Sequence, residues 1–178
     1  MAGQPEAEQW RPDVLGEGFE QLTLPLGTDE EGDIVATLVR HLPERILGLP
    51  IPHGPFADID VLYIHGWSDY FFNRRLARYW AGKGARFYAL DLRKYGRSIR
   101  EGQTPGYITN LNDYDVDIAA AMVAMGRAED GTAPRRLVLL GHSTGGLTLP
   151  LWASRHQDAV DAVLLNSPWL EFQLSAAA

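Results

Sequence analysis

The stretch Arg136-Leu137-Val138-Leu139-Leu140, running straight into Gly141-His142-Ser143-Thr144-Gly145 and a helical segment from Thr144 to His156, decides the fold. Arg136 to Leu140 is a short apolar run, the pattern of a strand buried on both faces of a sheet. The turn that follows has the form G-x-S-x-G between a strand and a helix. A serine at the tip of so sharp a turn takes strained backbone angles, and only small residues two before and two after it let strand and helix approach. Ser143 Oγ then stands clear of the sheet at the amino end of a helix, whose free amides favour negative charge. The alternative is a Gly-rich turn with an incidental serine; the flanking strand and helix weigh against it.

Outward from this turn the same alternation repeats. Ile59 to Ile64 (IDVLYI), Arg86 to Leu92 (RFYALDL) and Ala159 to Leu165 (AVDAVLL) read as further buried strands. Helices are expected between them. Phe71 to Gly82 places Phe72, Leu76, Tyr79 and Trp80 at helical spacing with Arg74, Arg75 and Arg78 on the other side, and Asn112 to Arg127 carries Val116, Ile118, Ala119, Met122 and Val123 in a helical pattern. Strand, helix, strand repeats demand crossovers, so the fold class is a three-layer αβα arrangement with a mostly parallel sheet. Upstream, Phe19 to Leu26 and Ile34 to Leu42 alternate on either side of the turn-rich Gly27 to Gly32, an antiparallel hairpin. Residues 43–56, rich in Pro and Gly, read as a loop. Residues 1–17 read as a solvated arm latched by Trp10, Val14 and Leu15, which leaves 18–178 as the α/β core.

Composition narrows the function. The 178 residues, 46% hydrophobic and 22% charged, suit one globular domain. Sixteen basic against 23 acidic side chains give a formal net charge of −7, which argues against nucleic acid as a partner. With no cysteine there is no disulfide, thiol nucleophile or Cys-ligated metal. No ligand spacing suggests a metal, and no G-x-G-x-x-G or P-loop suggests a nucleotide, so no cofactor is expected. Met1 to Trp10 carries Glu6 and Glu8 and lacks an apolar run, so neither a signal nor a transmembrane segment is expected, and cytoplasmic residence is the default.

Two further segments reach the carboxyl edge of the sheet, where open α/β sheets bind ligands. His65-Gly66-Trp67 leaves an earlier strand. An oxyanion hole needs two backbone N–H donors, and Trp67 and Thr144 are positioned to supply them, with Gly66 allowing close approach and His65 bracing the loop. Asp91 to Ser98 reads as a loop pinned by an Asp–Arg pair and a Gly turn, or else as a wall of the site. His142 adjoins Ser143, but neighbours in a tight elbow point apart, so it is not expected to act as its base. Asp113, Asp115 and Asp117 read as first-turn acids that complement a helix dipole, and Pro150 as a structural bend.

His65-Gly66-Trp67-Ser68-Asp69-Tyr70, Asp91 to Ser98, Gly141 to Gly146 and Asn166-Ser167-Pro168 together resemble the α/β-hydrolase superfamily, in its serine aminopeptidase and monoacylglycerol-lipase-like branch. The resemblance implies Ser143 as nucleophile, oxyanion-hole amides on Trp67 and Thr144, site-shaping roles for His65, Gly66, Gly141, His142 and Gly145, and six strands of an eight-stranded fold. It also implies an acid and then a histidine further along the chain. After Ser143 the one histidine is His156, and a rise of about 1.5 Å per residue puts it roughly 18 Å away along the helix. Glu171 is the one acid near the expected strand end. The catalytic acid and histidine are therefore expected outside this chain, on a complementing C-terminal polypeptide, with the lid and last two strands. The expected activity is hydrolysis of small lipophilic carboxylic esters, with amide hydrolysis or a non-catalytic scaffold as alternatives.

Overall fold

The structure is a computed structural model that describes residues 9–42, 45–46, 49–50 and 54–170. Glu171 lies outside them. Strands β1 (Phe19–Asp29) and β2 (Gly32–His41) form the expected hairpin. Both run into the acidic stretch read as turn, because a bulge between Pro25 and Gly27 absorbs one residue and lets the ladder continue to Asp29. Proline has no N–H to give the ladder, and Gly27 takes φ 96°, which suits a bulge.

Strands β3 (Ile59–Ile64), β4 (Arg86–Asp91), β5 (Arg136–His142) and β6 (Ala162–Asn166) complete the sheet. A two-residue strand, Arg11–Pro12, pairs outside β1, and the order from there is β1-β2-β4-β3-β5-β6. Strands β2 and β4 pair antiparallel, while β4, β3, β5 and β6 are parallel neighbours. Strand β6 starts three residues later than the apolar run suggests. Gln157–Ala159 makes a short 3-10 turn first, and the Asp161 carboxylate then accepts the Leu137 N–H at 2.7 Å. The stretch 43–56, read as loop, contains a two-residue ladder, Arg45–Ile46 with Leu49–Pro50.

Adjacent strand residues face opposite layers, which is why these strands read as unbroken apolar runs. Leu38, Leu62, Leu90 and Leu139 pack toward helices α2 (Tyr114–Ala124) and α3 (Gly145–Arg155). Val39, Val61, Ala89 and Val138 pack toward α1 (Arg74–Gly82). The three-layer αβα fold is therefore the one expected. Two helix faces differ from expectation. Asn73 caps α1 by accepting the Leu76 N–H at 3.1 Å; Ala77 and Trp80 face the sheet, while Phe72, which precedes the cap, and Tyr79 are exposed. On α2, Ile118, Ala121 and Met122 are buried and Val116 and Val123 are not. Of the proposed arm latches, Leu15 is buried, Trp10 lies under the Arg40 guanidinium at 4.0 Å, and Val14 is exposed.

Outside β6 no further strand pairs among the described residues, and Val163, Leu164 and Leu165 remain exposed. None of the described helices is long and apolar enough to cross a membrane.

Candidate active site

Each parallel strand leaves the carboxyl edge through a non-glycine residue in the left-handed region: Ser68 after β3, Lys94 after β4, Ser143 after β5 and Ser167 after β6. Such backbone costs of order 1–3 kcal/mol and persists only where its surroundings fix it. At Ser143, with φ 49°, the fixing is visible. The Ser143 N–H donates to Asn166 O at 3.1 Å, and its carbonyl accepts the N–H groups of Gly146 at 2.9 Å and Trp169 at 3.0 Å. The Gly145 N–H donates to His65 O at 3.0 Å. The elbow is thus tied to the exits of both β3 and β6.

The glycines around it leave no room for a side chain. A Cβ on Gly145 would sit 2.2 Å from Ile64 O, one on Gly141 2.5 Å from Gly145 O, and one on Gly146 2.7 Å from the Pro168 Cβ. Gly66 runs close beside the serine, since its Cβ would lie 3.1 Å from Ser143 Cβ and 3.6 Å from Oγ. The loop carrying Trp67 and the amino end of α3 carrying Thr144 therefore flank Ser143 from two sides. Among the described residues no hydrogen bond engages the Trp67 or Thr144 N–H. The buried Thr144 hydroxyl also has no partner there.

His65 is 1% exposed, and both ring nitrogens are committed. The Leu92 N–H donates to Nε2 at 3.1 Å, which makes Nδ1 the protonated nitrogen, and Nδ1 donates to Gly66 O at 2.8 Å. Burial pushes its pKa down from the ordinary histidine value. His65 thus ties the Gly66 turn to the loop after β4. The His142 Nδ1 lies 3.1 Å from both Asn166 O and Asn166 Nδ2, and His156 stacks on Trp152 at 4.2 Å beyond the last turn of α3. None of these three rings is placed as a base for Ser143.

The loop after β4 is pinned, and more heavily than a lone Asp–Arg pair implies. Arg97 spans buried Asp91 at 2.8 Å and buried Asp13 at 2.7 Å, while Asp91 also accepts the Phe71 N–H at 2.8 Å. Lys94, 1% exposed, reaches the hairpin turn at Asp29 and Glu31, both at 2.6 Å. Of the three first-turn acids, Asp117 is corrected: it is fully buried and holds the Arg93 side chain at 2.7 Å and the Arg93 N–H at 2.8 Å. Burial pushes its carboxyl up to about 6, against the pull of Arg93. Asp115, on the surface, pairs with Arg155.

Beside the elbow lies a cavity of about 310 Å³ lined by Trp67, Leu111, Tyr114, Thr144, Leu147 and Trp169, among others. Trp67 and Thr144 are expected at the site from the sequence; Leu111, Tyr114 and Trp169, which close the wall, are not. Helical spacing around Tyr114 is the one local signal that bears on them.

The family model of the serine aminopeptidases, S33, matches residues 57–178, more than half of the chain. A comparison with curated proteins finds no match. Among solved structures, acetyl xylan esterase 1 from Thermoanaerobacterium sp. JW/SL YS485 is similar at 18% identity and TM-score 0.55, over 92% of this chain and 53% of its own. An epoxide hydrolase from Vigna radiata is similar at 20% identity and TM-score 0.58, over 84% and 40%. A monoacylglycerol lipase from Paleococcus ferrophilus is similar at 25% identity and TM-score 0.51, over 63% and 39%. The chain spans about half of these structures or less. The fold order, the Ser143 elbow and the family match agree: this chain belongs to the serine aminopeptidase S33 family of α/β-hydrolases.

Proposed function

We propose that Ser143 is the nucleophile of a hydrolase that cleaves small lipophilic carboxylic esters, of the monoacylglycerol or lysophospholipid kind. One observation carries the reading: a strained serine between two uncommitted amides, beside an apolar cavity. Ser143 Oγ attacks the ester carbonyl as its proton passes to a histidine. The Trp67 and Thr144 N–H groups hold the oxyanion of the tetrahedral intermediate, and collapse expels the alcohol with that proton. Water, deprotonated by the same histidine, then releases the acid and restores Ser143. Position 143 is serine, so the carboxylate-nucleophile chemistry of epoxide hydrolases and dehalogenases is disfavoured.

Among the described residues His65, His142 and His156 are all engaged away from Ser143, so the histidine and the acid that orients it are assigned to a part of the protein outside the described residues. The exposed Val163, Leu164 and Leu165 on β6 support a partner strand there. The S33 match favours amide hydrolysis as the second reading. Assays of p-nitrophenyl esters against aminoacyl anilides, on protein purified from the cells that make it, separate the two. Esters turned over preferentially, with loss in Ser143→Ala, support the first; anilide preference supports the second.

A further inference from the structure

We infer that the outer face of α1, with the loop before it, is a docking surface for an anionic lipid bilayer. Residues 67–83 hold four basic side chains (Arg74, Arg75, Arg78, Lys83) and one acid, Asp69, in a chain of net charge −7. Arg74, Arg75 and Arg78 are exposed and form no ion pair among the described residues, whereas eight other arginines hold carboxylates. A cluster of unpaired guanidinium groups on an acidic protein complements phosphate oxygens, which the planar fork binds well.

Apolar groups lie among these charges. Trp67, Tyr70, Phe72 and Tyr79 are 44–59% exposed. The Tyr70 and Phe72 rings meet edge to face at 5.8 Å, and the Arg97 guanidinium lies 5.5 Å over Tyr70, so the rings are held before any partner arrives. Aromatic rings mixed with arginine suit the headgroup layer, where one end is apolar and the other wet. With Ala77 and Trp80 committed to the sheet, α1 does not insert; it presents charge and ring edges to a surface.

The position agrees with this partner. Helix α1 packs on β4 and β2, well away from the unpaired edge of β6. Trp67, on the loop before α1, also lines the cavity beside Ser143, so the proposed docking surface is joined in sequence to the cavity wall. What that link does for catalysis rests on the ester reading; the binding itself does not.

The test is co-sedimentation of the full chain with phosphatidylcholine vesicles, with and without phosphatidylserine, which needs no catalysis. Binding is expected with phosphatidylserine, weakened by added salt. Arg74→Gln with Arg75→Gln and Arg78→Gln lowers partitioning by about a hundredfold. Phe72→Ser with Tyr79→Ser lowers it with circular dichroism unchanged. Three results overturn the proposal: no binding of folded chain to anionic vesicles at low salt, binding indifferent to these substitutions, or binding to heparin but not to vesicles. Indifference to the substitutions assigns adhesion to the β6 edge instead.

Discussion

The exits of β4 and β5 share a backbone conformation and differ in everything around it. Lys94 and Ser143 have φ of 59° and 49°, one at the head of each loop. After β4 every nearby charge is answered: Asp91 by Arg97 and Phe71 N–H, Arg93 by Asp117, and Lys94 by Asp29 and Glu31. After β5 there is no Asp, Glu, Lys or Arg from Gly141 to Gly146, glycine fills the contacts, and among the described residues the Thr144 N–H and hydroxyl, like the Trp67 N–H on the neighbouring loop after β3, have no partner. Strain that is surrounded by satisfied groups is scaffold. Strain beside unsatisfied donors is what the proposed nucleophile needs, since a ligand could complete the bonding there.

The comparison breaks most severely at Gly145. Gly145→Ala forces a Cβ against backbone oxygens of β3, which cannot yield as a side chain would, and is expected to cost at least about 3 kcal/mol. Urea denaturation, or failure to recover soluble chain, reads this out. On the other side, Asp91→Ala leaves buried Arg97 half-answered and Phe71 N–H unpaired, a loss of about 3–5 kcal/mol by the same measurement.

The paired glycine substitutions sharpen the contrast. Ser143→Gly relieves the left-handed strain and removes only a hydroxyl with no partner among the described residues, so stability rises by up to about 1 kcal/mol while the proposed hydrolytic activity is lost. Lys94→Gly relieves the same strain but strands Asp29 and Glu31, so stability falls by about 1–2 kcal/mol. Opposite signs are expected from like dihedrals. Equal signs would dissolve the distinction between the two exits.

The smallest effect is in pH. Burial lowers the His65 pKa below its ordinary 6.5, so the unfolded chain binds the proton more readily. The contribution of His65 is complete above pH 6.5 and is lost as pH falls below it. Urea midpoints at pH 7.5 and 5.5 should differ more in the parent than in His65→Gln.

Much of the elbow was legible because its constraints are local: a glycine two residues from a serine answers a steric problem within five residues. The parallel strands were legible because burial on both faces leaves unbroken apolar runs. The pinned loop was not. Asp13 and Arg97 lie 84 positions apart, and Lys94 and Glu31 lie 63 apart, with nothing in either segment to name the other. The α1 face was misread at two residues: Phe72 precedes the Asn73 cap and so lies outside the helix, and Tyr79 fits the helical period yet is exposed beside Trp80, which is buried. Asp117 looked like a dipole-complementing acid because burial at a helix start leaves no trace in sequence.

The central claim is that Ser143 is the nucleophile. Fluorophosphonate labelling of the assembled protein, purified from the cells that make it, with intact mass and peptide mapping, tests this most directly. One adduct per chain, on Ser143 and absent from Ser143→Ala, is the result the account predicts. An adduct on another residue, an adduct that survives Ser143→Ala, or none on folded assembled protein would contradict it.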